Sequence, residues 1–187
     1  TGPVVLFLGR LHARKGLQLL IPAFAETARD IPAARLLIAG PDEGMRAALE
    51  AQVAQHNLDE RVIFTGMITG PDKLAALAAA DLFALPAVGE GFSMAVLEAM
   101  ACGLPVLLTP GCNFPEVVAA GAGLVVEREI APLASGLREL LQDSDRRAEM
   151  SRAARSMIEE HYTWAQIAAQ MADVYRHARA HKGQTRS

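Results

Sequence analysis

Two carboxylates, Glu90 and Glu98, lie on either side of a predicted helix start. Ser93 is a typical N-cap residue before a run of good helix formers, so Glu90 falls in a loop and Glu98 in the helix. With a rise of about 1.5 Å per residue, Glu98 lies roughly 7 Å along the helix from Ser93. The two carboxylates are too far apart to serve one small group, but they could bind the two ends of a longer ligand.

The helix N-terminus between these carboxylates is suited to an anion. Its free backbone N–H groups and the positive end of the helix dipole both favour negative charge. Gly89 and Gly91 have no Cβ atom, so they let backbone amides approach a ligand closely. An alternative is that Glu90 and Glu98 are solvated surface charges. Apart from Glu98, residues 94–101 are apolar nearly all round, which argues instead for a buried helix that carries a functional charge.

A second candidate segment follows the first predicted strand, where residues 9–16 read Gly-Arg-Leu-His-Ala-Arg-Lys-Gly. This loop carries three cations, Arg10, Arg14 and Lys15. It lacks the Gly-x-Gly-x-x-Gly pattern of dinucleotide-binding folds and the Gly-Lys-Ser/Thr of a P-loop, which weakens both of those interpretations. From the residues alone, Arg10 and Lys15 are either anion ligands or ordinary surface charges.

Six apolar runs of strand length alternate with helical patterns along the chain. This alternation predicts an α/β fold with a single Rossmann-like, doubly wound and mostly parallel sheet. Ligands bind such sheets at the carboxyl ends of the strands, and the candidate residues all follow predicted strand ends. The predicted strands are residues 4–8, 36–40, 61–66, 81–85, 105–109 and 123–126, and the longer helices are residues 17–28, 45–56, 74–80, 133–141, 146–160 and 163–181.

The composition is that of one globular domain, residues 1–187. No apolar run approaches the ~20 residues of a membrane span, and the net charge of −3 gives no nucleic-acid footprint. Cys102 and Cys112 have no metal-like spacing, and so few cysteines indicate a reducing compartment, so we expect a cytoplasmic protein. A basic end is interpreted as a solvated tail; it comprises Arg176, His177, Arg179, His181 and Lys182.

The sequence that joins the two carboxylates, Glu-Gly-Phe-Ser-Met-Ala-Val-Leu-Glu, resembles the Glu, seven residues, Glu motif of the retaining nucleotide-sugar glycosyltransferases called family 4 or group 1. The following Glu-Ala-Met-Ala-Cys-Gly-Leu-Pro-Val is also similar to this family, as is the Gly-Arg loop with its later Lys-Gly. The resemblance covers essentially the whole chain. It implies that the chain is the C-terminal, donor-binding half of a two-domain glycosyltransferase of the B-type fold (GT-B).

The resemblance also implies a role for each candidate residue. Arg10 and Lys15 would bind the donor diphosphate, and Glu90 would orient the hydroxyls of the donor sugar, so these three are the predicted catalytic residues. Glu98 would accept hydrogen bonds from the ribose, as a carboxylate does in dinucleotide folds. The remaining predicted substrate-binding residues lie at strand ends, near the nucleotide base or at the start of the helix; they are Gly9, Gly40, Met67, Ile68, Gly91, Phe92 and Ser93.

Two further segments resemble the family. Residues 110–116, Pro-Gly-Cys-Asn-Phe-Pro-Glu, are similar to its loop ahead of an Ile-Pro-Glu-like helix start, but Phe114 replaces the usual aliphatic residue and Cys112-Asn113 stands where small residues are common. The last predicted helix, capped by Thr163, begins like the family's C-terminal helix. That helix tends to cross back to the partner domain, so we expect an apolar stripe here that is partly uncovered.

The family needs a second α/β half, which supplies the acceptor site and is not in these 187 residues. We therefore expect this chain to bind a UDP-, GDP- or ADP-sugar but not to transfer sugar alone. No cofactor or metal ion is expected, because the cations can neutralise the diphosphate and no His/Cys/Asp cluster offers a site. Family members act in polysaccharide or glycolipid biosynthesis, which is compatible with peripheral membrane association of the complete protein.

Three other functions fit some of the same residues. A glycoside hydrolase also uses two carboxylates, but it does not need a diphosphate-binding pair of cations. A nucleotide-sugar epimerase can have the same two-domain architecture, and a non-catalytic nucleotide-binding module would need only the donor site. Product analysis with the complete protein would separate an epimerase from a transferase.

Overall fold

The computed structural model describes the backbone of residues 2–184 and the side chains of residues 2–179. Within this part of the chain, six strands form one sheet in which every neighbouring pair runs parallel. The strands are β1 (Val4–Leu8), β2 (Arg35–Ala39), β3 (Val62–Gly66), β4 (Leu82–Leu85), β5 (Val106–Leu108) and β6 (Gly123–Val125). Their order in the sheet is β3-β2-β1-β4-β5-β6.

This architecture confirms the predicted Rossmann-like, doubly wound α/β sheet. All six predicted strands are present, and the described sheet is wholly parallel rather than mostly parallel. The middle strands are apolar without alternation because both faces of the sheet are covered; β4 is buried at every position. The strand order reverses between β1 and β4, and in such sheets a crevice opens at that point beyond the carboxyl ends of the strands.

Eight α-helices connect or cover the strands in the described residues. They are α1 (Leu17–Asp30), α2 (Arg46–Gln55), α3 (Gly70–Ala79), α4 (Met94–Ala101), α5 (Glu116–Ala119), α6 (Ile130–Gln142), α7 (Ser144–His161) and α8 (Trp164–Gln184). Helix α3 begins earlier than the predicted residue 74. Thr69 occupies its N-cap position and Pro71 lies in its first turn, where the missing N–H has no helical partner to lose.

Helix α1 contains Pro22 yet continues for 14 residues. Proline has no N–H, so the carbonyl of Gln18, four residues earlier, loses its helical hydrogen bond. The side chain of Gln52 in α2 donates to this carbonyl at 3.1 Å, which satisfies it and ties α2 to α1. Helix α1 also packs against α6, where the buried hydroxyl of Thr27 donates to the carbonyl of Ala134 at 3.3 Å.

Helix α4 is buried along only one face, formed by Val96, Ala99 and Met100. Its remaining residues are half-buried or exposed, and Met94 is exposed although it is apolar. The expectation of a buried helix therefore holds for this one face only. An apolar composition does not by itself bury Glu98, because α7 and the sheet cover one side of the helix and leave the other open.

Helix α8 begins after Thr163, whose hydroxyl accepts a hydrogen bond from the backbone N–H of Gln166. This hydrogen bond confirms the prediction that Thr163 caps the helix. The apolar stripe of the helix is uncovered: Trp164, Met171, Val174 and Tyr175 are all exposed. None of the helices in residues 2–184 is both long enough and apolar enough to cross a membrane.

The basic end of the chain continues this helix. Arg176, His177 and Arg179 are exposed, as expected for a solvated tail. Arg176 forms an ion pair with Asp173 one turn earlier, so part of its charge is neutralised within the helix. His181 and Lys182, the other two members of the basic end, lie outside the described side chains.

Candidate functional site

The predicted site residues gather at one edge of the sheet, because each follows the carboxyl end of a strand. Gly9 and Gly40 end β1 and β2, and their backbones approach each other closely: a Cβ atom on Gly40 would lie 1.9 Å from the carbonyl oxygen of Gly9. The N–H of Gly9 donates to Ala39, and the N–H of Gly40 donates to Gly66 at the end of β3. These hydrogen bonds hold the ends of three strands together beneath the site.

Lys15 and Glu90 form the most enclosed ion pair of this edge. The Nζ atom of Lys15 lies 2.8 Å from both carboxylate oxygens of Glu90, and the two side chains are only 16% and 15% exposed. Lys15 ends a short 3-10 turn, and Gly16 then starts α1 in a left-handed conformation with φ of 82°. A Cβ atom on Gly16 would lie 2.1 Å from the carbonyl oxygen of Pro86, so the start of α1 packs directly on the end of β4.

Arg10 is part of a separate ion pair. Its guanidinium binds Glu43 at 2.6 Å, and 61% of the Arg10 side chain is exposed. The neighbouring Asp42 instead caps α2: one carboxylate oxygen accepts the backbone N–H groups of Gly44, Met45 and Arg46. The Arg46 N–H contributes most to lowering the pKa of Asp42 below its usual range. Asp42 thus acts at the start of a helix, whereas Glu43 pairs with Arg10, a candidate ligand of the diphosphate.

Glu98 is paired with Lys73, a residue that the sequence analysis missed. The Nζ atom of Lys73 lies 2.8 Å from the Glu98 carboxylate, and the Glu98 side chain is 36% exposed. Lys73 lies in the first turns of α3, shortly after Met67 and Ile68 leave β3. Met67 is exposed at this edge, and Ile68 packs partly on the core. A lysine just beyond a strand end was the available signal, but nothing in its local pattern indicates a partner 25 positions away.

The loop that carries Glu90 is held by backbone contacts to the cationic loop. The guanidinium of Arg14 donates to the carbonyl of Gly89 at 2.9 Å, and the N–H of Val88 donates to the carbonyl of Arg14 at 2.8 Å. Arg14 therefore uses its charge to fix the Glu90 loop. It was noted in the sequence as a cation but was not assigned to the site.

Three aromatic rings join the Glu90 loop to distant parts of the chain. The ring of Phe92 lies 5.9 Å from those of both Phe114 and Tyr162, and Phe114 lies 5.5 Å from Tyr162, all measured between centroids. Phe114 is buried, so the departure from the usual aliphatic residue serves this contact. Burial, and to a smaller extent the charge of Glu116, raises the pKa of Tyr162.

The start of α4 borders an apolar groove. Ser93 occupies the predicted N-cap position, but its side chain makes no capping hydrogen bond. Gly91 is exposed, with no atom near the position of a Cβ, so its backbone is open to a ligand. Beside it, a groove of about 380 Å³ extends between α4 and the start of α8; its lining includes Phe92, Met94, Leu97, Tyr162, Trp164 and Ile167.

The described residues contain no group of three His, Cys, Asp or Glu side chains placed to hold a metal ion. Three cations of the edge are bound to carboxylates: Arg10 to Glu43, Lys15 to Glu90 and Lys73 to Glu98. The edge therefore offers positive charge, carboxylates and the free N–H groups of two helix starts. This combination can bind a ligand that has both phosphate and hydroxyl groups.

Comparison with known proteins agrees with this arrangement. Residues 1–157 match the family model of the glycosyl transferases group 1. The GDP-mannose-dependent monoacylated alpha-(1-6)-phosphatidylinositol monomannoside mannosyltransferase of Corynebacterium glutamicum is 38% identical over 174 residues, which cover 88% of this chain and 44% of that protein. The chain spans about half the length of the curated relatives it matches.

Solved structures show the same fold. HepE from Anabaena, in complex with UDP and glucose, matches with a TM-score of 0.84 and 26% identity over 94% of this chain and 48% of HepE. The C-terminal domain of LpcC, a glycosyl transferase group 1 family protein from Francisella tularensis, matches with a TM-score of 0.79 and 27% identity over 87% of each chain. That structure contains the C-terminal domain of LpcC.

Proposed function

Because the chain belongs to the glycosyl transferases group 1, we propose that it is the donor-binding domain of a retaining enzyme that moves a sugar from a nucleoside-diphosphate sugar to an acceptor. The Lys15–Glu90 pair is the observation that carries this proposal. It puts an enclosed cation and an enclosed carboxylate side by side at the start of α1. A diphosphate and the sugar attached to it need these two types of group at neighbouring positions.

The proposed chemistry starts from the charge of the leaving diphosphate. As the bond between the sugar and the diphosphate breaks, negative charge grows on the phosphate oxygens, and fixed cations stabilise it. Lys15, Arg10 and the free N–H groups at the start of α1 would supply that stabilisation without a metal ion. Each cation would then interact with both its present carboxylate partner and the phosphate.

The carboxylates and the exposed backbone would hold the rest of the donor. Glu98 would accept hydrogen bonds from the ribose, with Lys73 orienting its carboxylate. Glu90 would bind the hydroxyls of the sugar, next to the backbone N–H groups of Gly91 and Phe92. The backbone after β3, at residues 67–68, would contact the base, and the backbones of Gly9 and Gly40 would lie beneath the donor at the strand ends.

The proposal leaves the base and the sugar open. The name of the Corynebacterium relative includes GDP-mannose, whereas HepE was solved with UDP and glucose. A backbone contact to the base accepts several bases, since every base offers hydrogen-bonding edges. The donor is therefore a UDP-, GDP- or ADP-sugar, and the acceptor is a saccharide or lipid that binds outside this domain.

The half of the enzyme that binds the acceptor would dock on α8. The exposed stripe of Trp164, Met171, Val174 and Tyr175 is an apolar surface that a partner domain would cover. We assign it to the N-terminal half of the complete protein, since the relatives are about twice as long as this chain. Cytoplasmic location and peripheral membrane association remain part of the proposal for the complete protein.

Calorimetry tests the donor site directly. The 187-residue chain is titrated with GDP-mannose, UDP-glucose and ADP-glucose, each with EDTA present. We expect at least one of these donors to bind without a divalent metal. If none binds at millimolar concentration, the donor-site proposal is wrong. With the complete protein, a changed sugar on the nucleotide without transfer would indicate an epimerase instead.

A further inference from the structure

A single turn forms hydrogen bonds with the backbone of Glu90. The N–H of Glu90 donates to the carbonyl of Gly111 at 2.8 Å. The side-chain amide of Asn113 donates to the carbonyl of Glu90 at 2.7 Å. Both backbone polar groups of Glu90 are thus bound by residues 111–113, which follow β5 and lie next to the Glu90 loop in the structure but not in the sequence.

This turn is built to face the Glu90 loop. Residues 110–112 form a 3-10 turn that ends at Asn113 in the left-handed conformation, with φ of 50°, which asparagine tolerates better than most residues. A Cβ atom on Gly111 would lie 2.6 Å from the carbonyl oxygen of Ala87. Only a glycine lets the turn lie this close to the backbone of the Glu90 loop, and that closeness brings the amide of Asn113 within reach of Glu90.

The turn is itself anchored in the core. The buried hydroxyl of Thr109 donates to the carbonyl of Ala87 at 2.7 Å, and the buried thiol of Cys112 donates to the carbonyl of Leu85 at 3.2 Å. The end of β4 and the loop after it are therefore bound by the segment after β5 at three successive points, Leu85, Ala87 and Glu90. These contacts fix the backbone of Glu90 relative to the sheet.

We propose that Asn113 is a positioning residue that holds Glu90 in place while a nucleotide sugar is bound. The inference rests on the proposed function of Glu90 in binding the sugar. Asn113 binds the backbone carbonyl of Glu90, whereas Lys15 binds its carboxylate. A bound diphosphate draws Lys15 towards itself and loosens that ion pair, whereas it leaves the hydrogen bond from Asn113 unchanged. The turn then becomes the main restraint on Glu90.

The test compares two ligands on the 187-residue chain: a nucleoside diphosphate and the corresponding nucleotide sugar. Asn113→Gly removes the amide and keeps the left-handed backbone free of strain. Loss of one neutral hydrogen bond predicts that affinity for the nucleotide sugar falls by about 2- to 10-fold, while affinity for the nucleoside diphosphate stays the same. The matched control is Asn57→Gly. Asn57 is also left-handed, with φ of 56°, and it follows α2 rather than belonging to the turn at residues 110–113 or to the Glu90 loop. This variant leaves both affinities unchanged.

A coupling measurement separates positioning from general stability. In a Glu90→Ala background the sugar contact is already lost, so Asn113→Gly produces no further change in either affinity. Equal losses for both ligands, or a loss that persists in the Glu90→Ala background, would overturn the role of Asn113. If the wild-type chain binds no nucleotide at all, the proposed donor site is overturned together with this inference. Wild-type binding with an unchanged Asn113→Gly overturns the inference alone.

Discussion

The charged residues of the sheet edge differ in how much each depends on its partner. Arg10 and Glu43 are largely in water, and exposed ion pairs contribute only about 0–1 kcal/mol to stability. Lys15 and Glu90 are mostly enclosed, so removal of either one leaves an uncompensated charge in a partly buried place. At the scale of single residues, the enclosed pair is therefore the one to which we assign the function, and the exposed pair can reorganise around a ligand.

Lys15→Ala tests the phosphate role. A charge-assisted hydrogen bond contributes about 1.5–3 kcal/mol, so we expect the affinity for a nucleoside diphosphate to fall roughly 10- to 150-fold. The measurement is calorimetry, with thermal unfolding as a check on the fold. Arg35→Ala is the matched control, because Arg35 is an exposed cation at the opposite edge of the sheet, at the start of β2. An unchanged dissociation constant for Lys15→Ala would return this residue to the class of surface charges.

Glu98→Gln tests the ribose role. The substitution keeps the shape of the side chain but removes the charge of the carboxylate that would accept the ribose hydrogen bonds. We expect affinity for a nucleoside diphosphate to fall roughly 10-fold or more and affinity for inorganic pyrophosphate to stay nearly the same. Glu50→Gln removes a carboxylate from another exposed ion pair, with Arg46, and is the control. Equal losses for both ligands would show that Glu98 acts through the phosphates or the fold.

Cys112 makes the free energy of unfolding depend on pH in the alkaline range. Burial raises the pKa of this thiol, so the folded state keeps its proton where the unfolded state has lost it. The unfolded state then binds fewer protons, and the free energy of unfolding falls as pH rises above about 8.5, by at most about 1.4 kcal/mol per pH unit. Denaturant titrations between pH 7 and 10 should show a shallower fall for Cys112→Ala. The exposed Cys102 is the control, and Cys102→Ala should keep the wild-type slope.

At the scale of elements, the sequence was informative about strands and less so about partners. Apolar runs and helix-capping residues are local features, and they predicted all six described strands and the cap at Thr163. The extent of burial of α4 could not be predicted, because it depends on which side the sheet covers. The partners of Glu90 and Glu98 are separated from them by 75 and 25 positions, and no local period encodes such a distance.

The candidate site shows the same division between what the sequence encodes locally and what it does not. The motif from Glu90 to Glu98 was visible as a pattern, and its place after a strand end was predicted correctly. Asn113 was visible only as a departure from a family pattern, since its function depends on the closeness of two loops. A residue that departs from the family pattern in the sequence can thus make a specific contact in the folded chain.

The junction between β4 and α1 gives a prediction at the scale of elements. Gly16 is left-handed and also touches Pro86, whereas Gly44 is left-handed with φ of 88° and no atom near its Cβ position. Gly44→Ala therefore measures the backbone strain alone, about 1–2 kcal/mol. Gly16→Ala should lower the free energy of unfolding by a further ~1–3 kcal/mol, because the added methyl group displaces the end of β4. Equal effects of Gly16→Ala and Gly44→Ala in urea titrations would show that the end of β4 moves aside at little cost in free energy.

For the whole molecule, we expect activity to depend on both halves of the complete protein. We assign several groups of this chain to a donor, but none of its described residues to an acceptor. Positioning two substrates against each other can lower a barrier by about 7–11 kcal/mol, and a single half of the cleft cannot supply that. The domain is thus expected to recognise its donor without completing the reaction.

The isolated chain should bind donor and yet transfer no sugar. A transfer assay with the donor found by calorimetry and a panel of saccharide and lipid acceptors is expected to show at most slow hydrolysis, since water can reach the sugar in the open cleft. The complete protein in the same assay is the control and should transfer. Turnover by the isolated chain at the rate of the complete protein would instead indicate a self-sufficient single-domain enzyme.

Trp164, at the first residue of α8, is the only tryptophan in the chain and is 83% exposed. The fluorescence of an indole shifts to shorter wavelength when water around it is replaced by apolar groups. The chain therefore contains its own optical reporter at the surface proposed to meet the N-terminal half. A blue shift on mixing the two halves, absent when Trp164 is replaced by phenylalanine, would follow their association in real time and without an added dye.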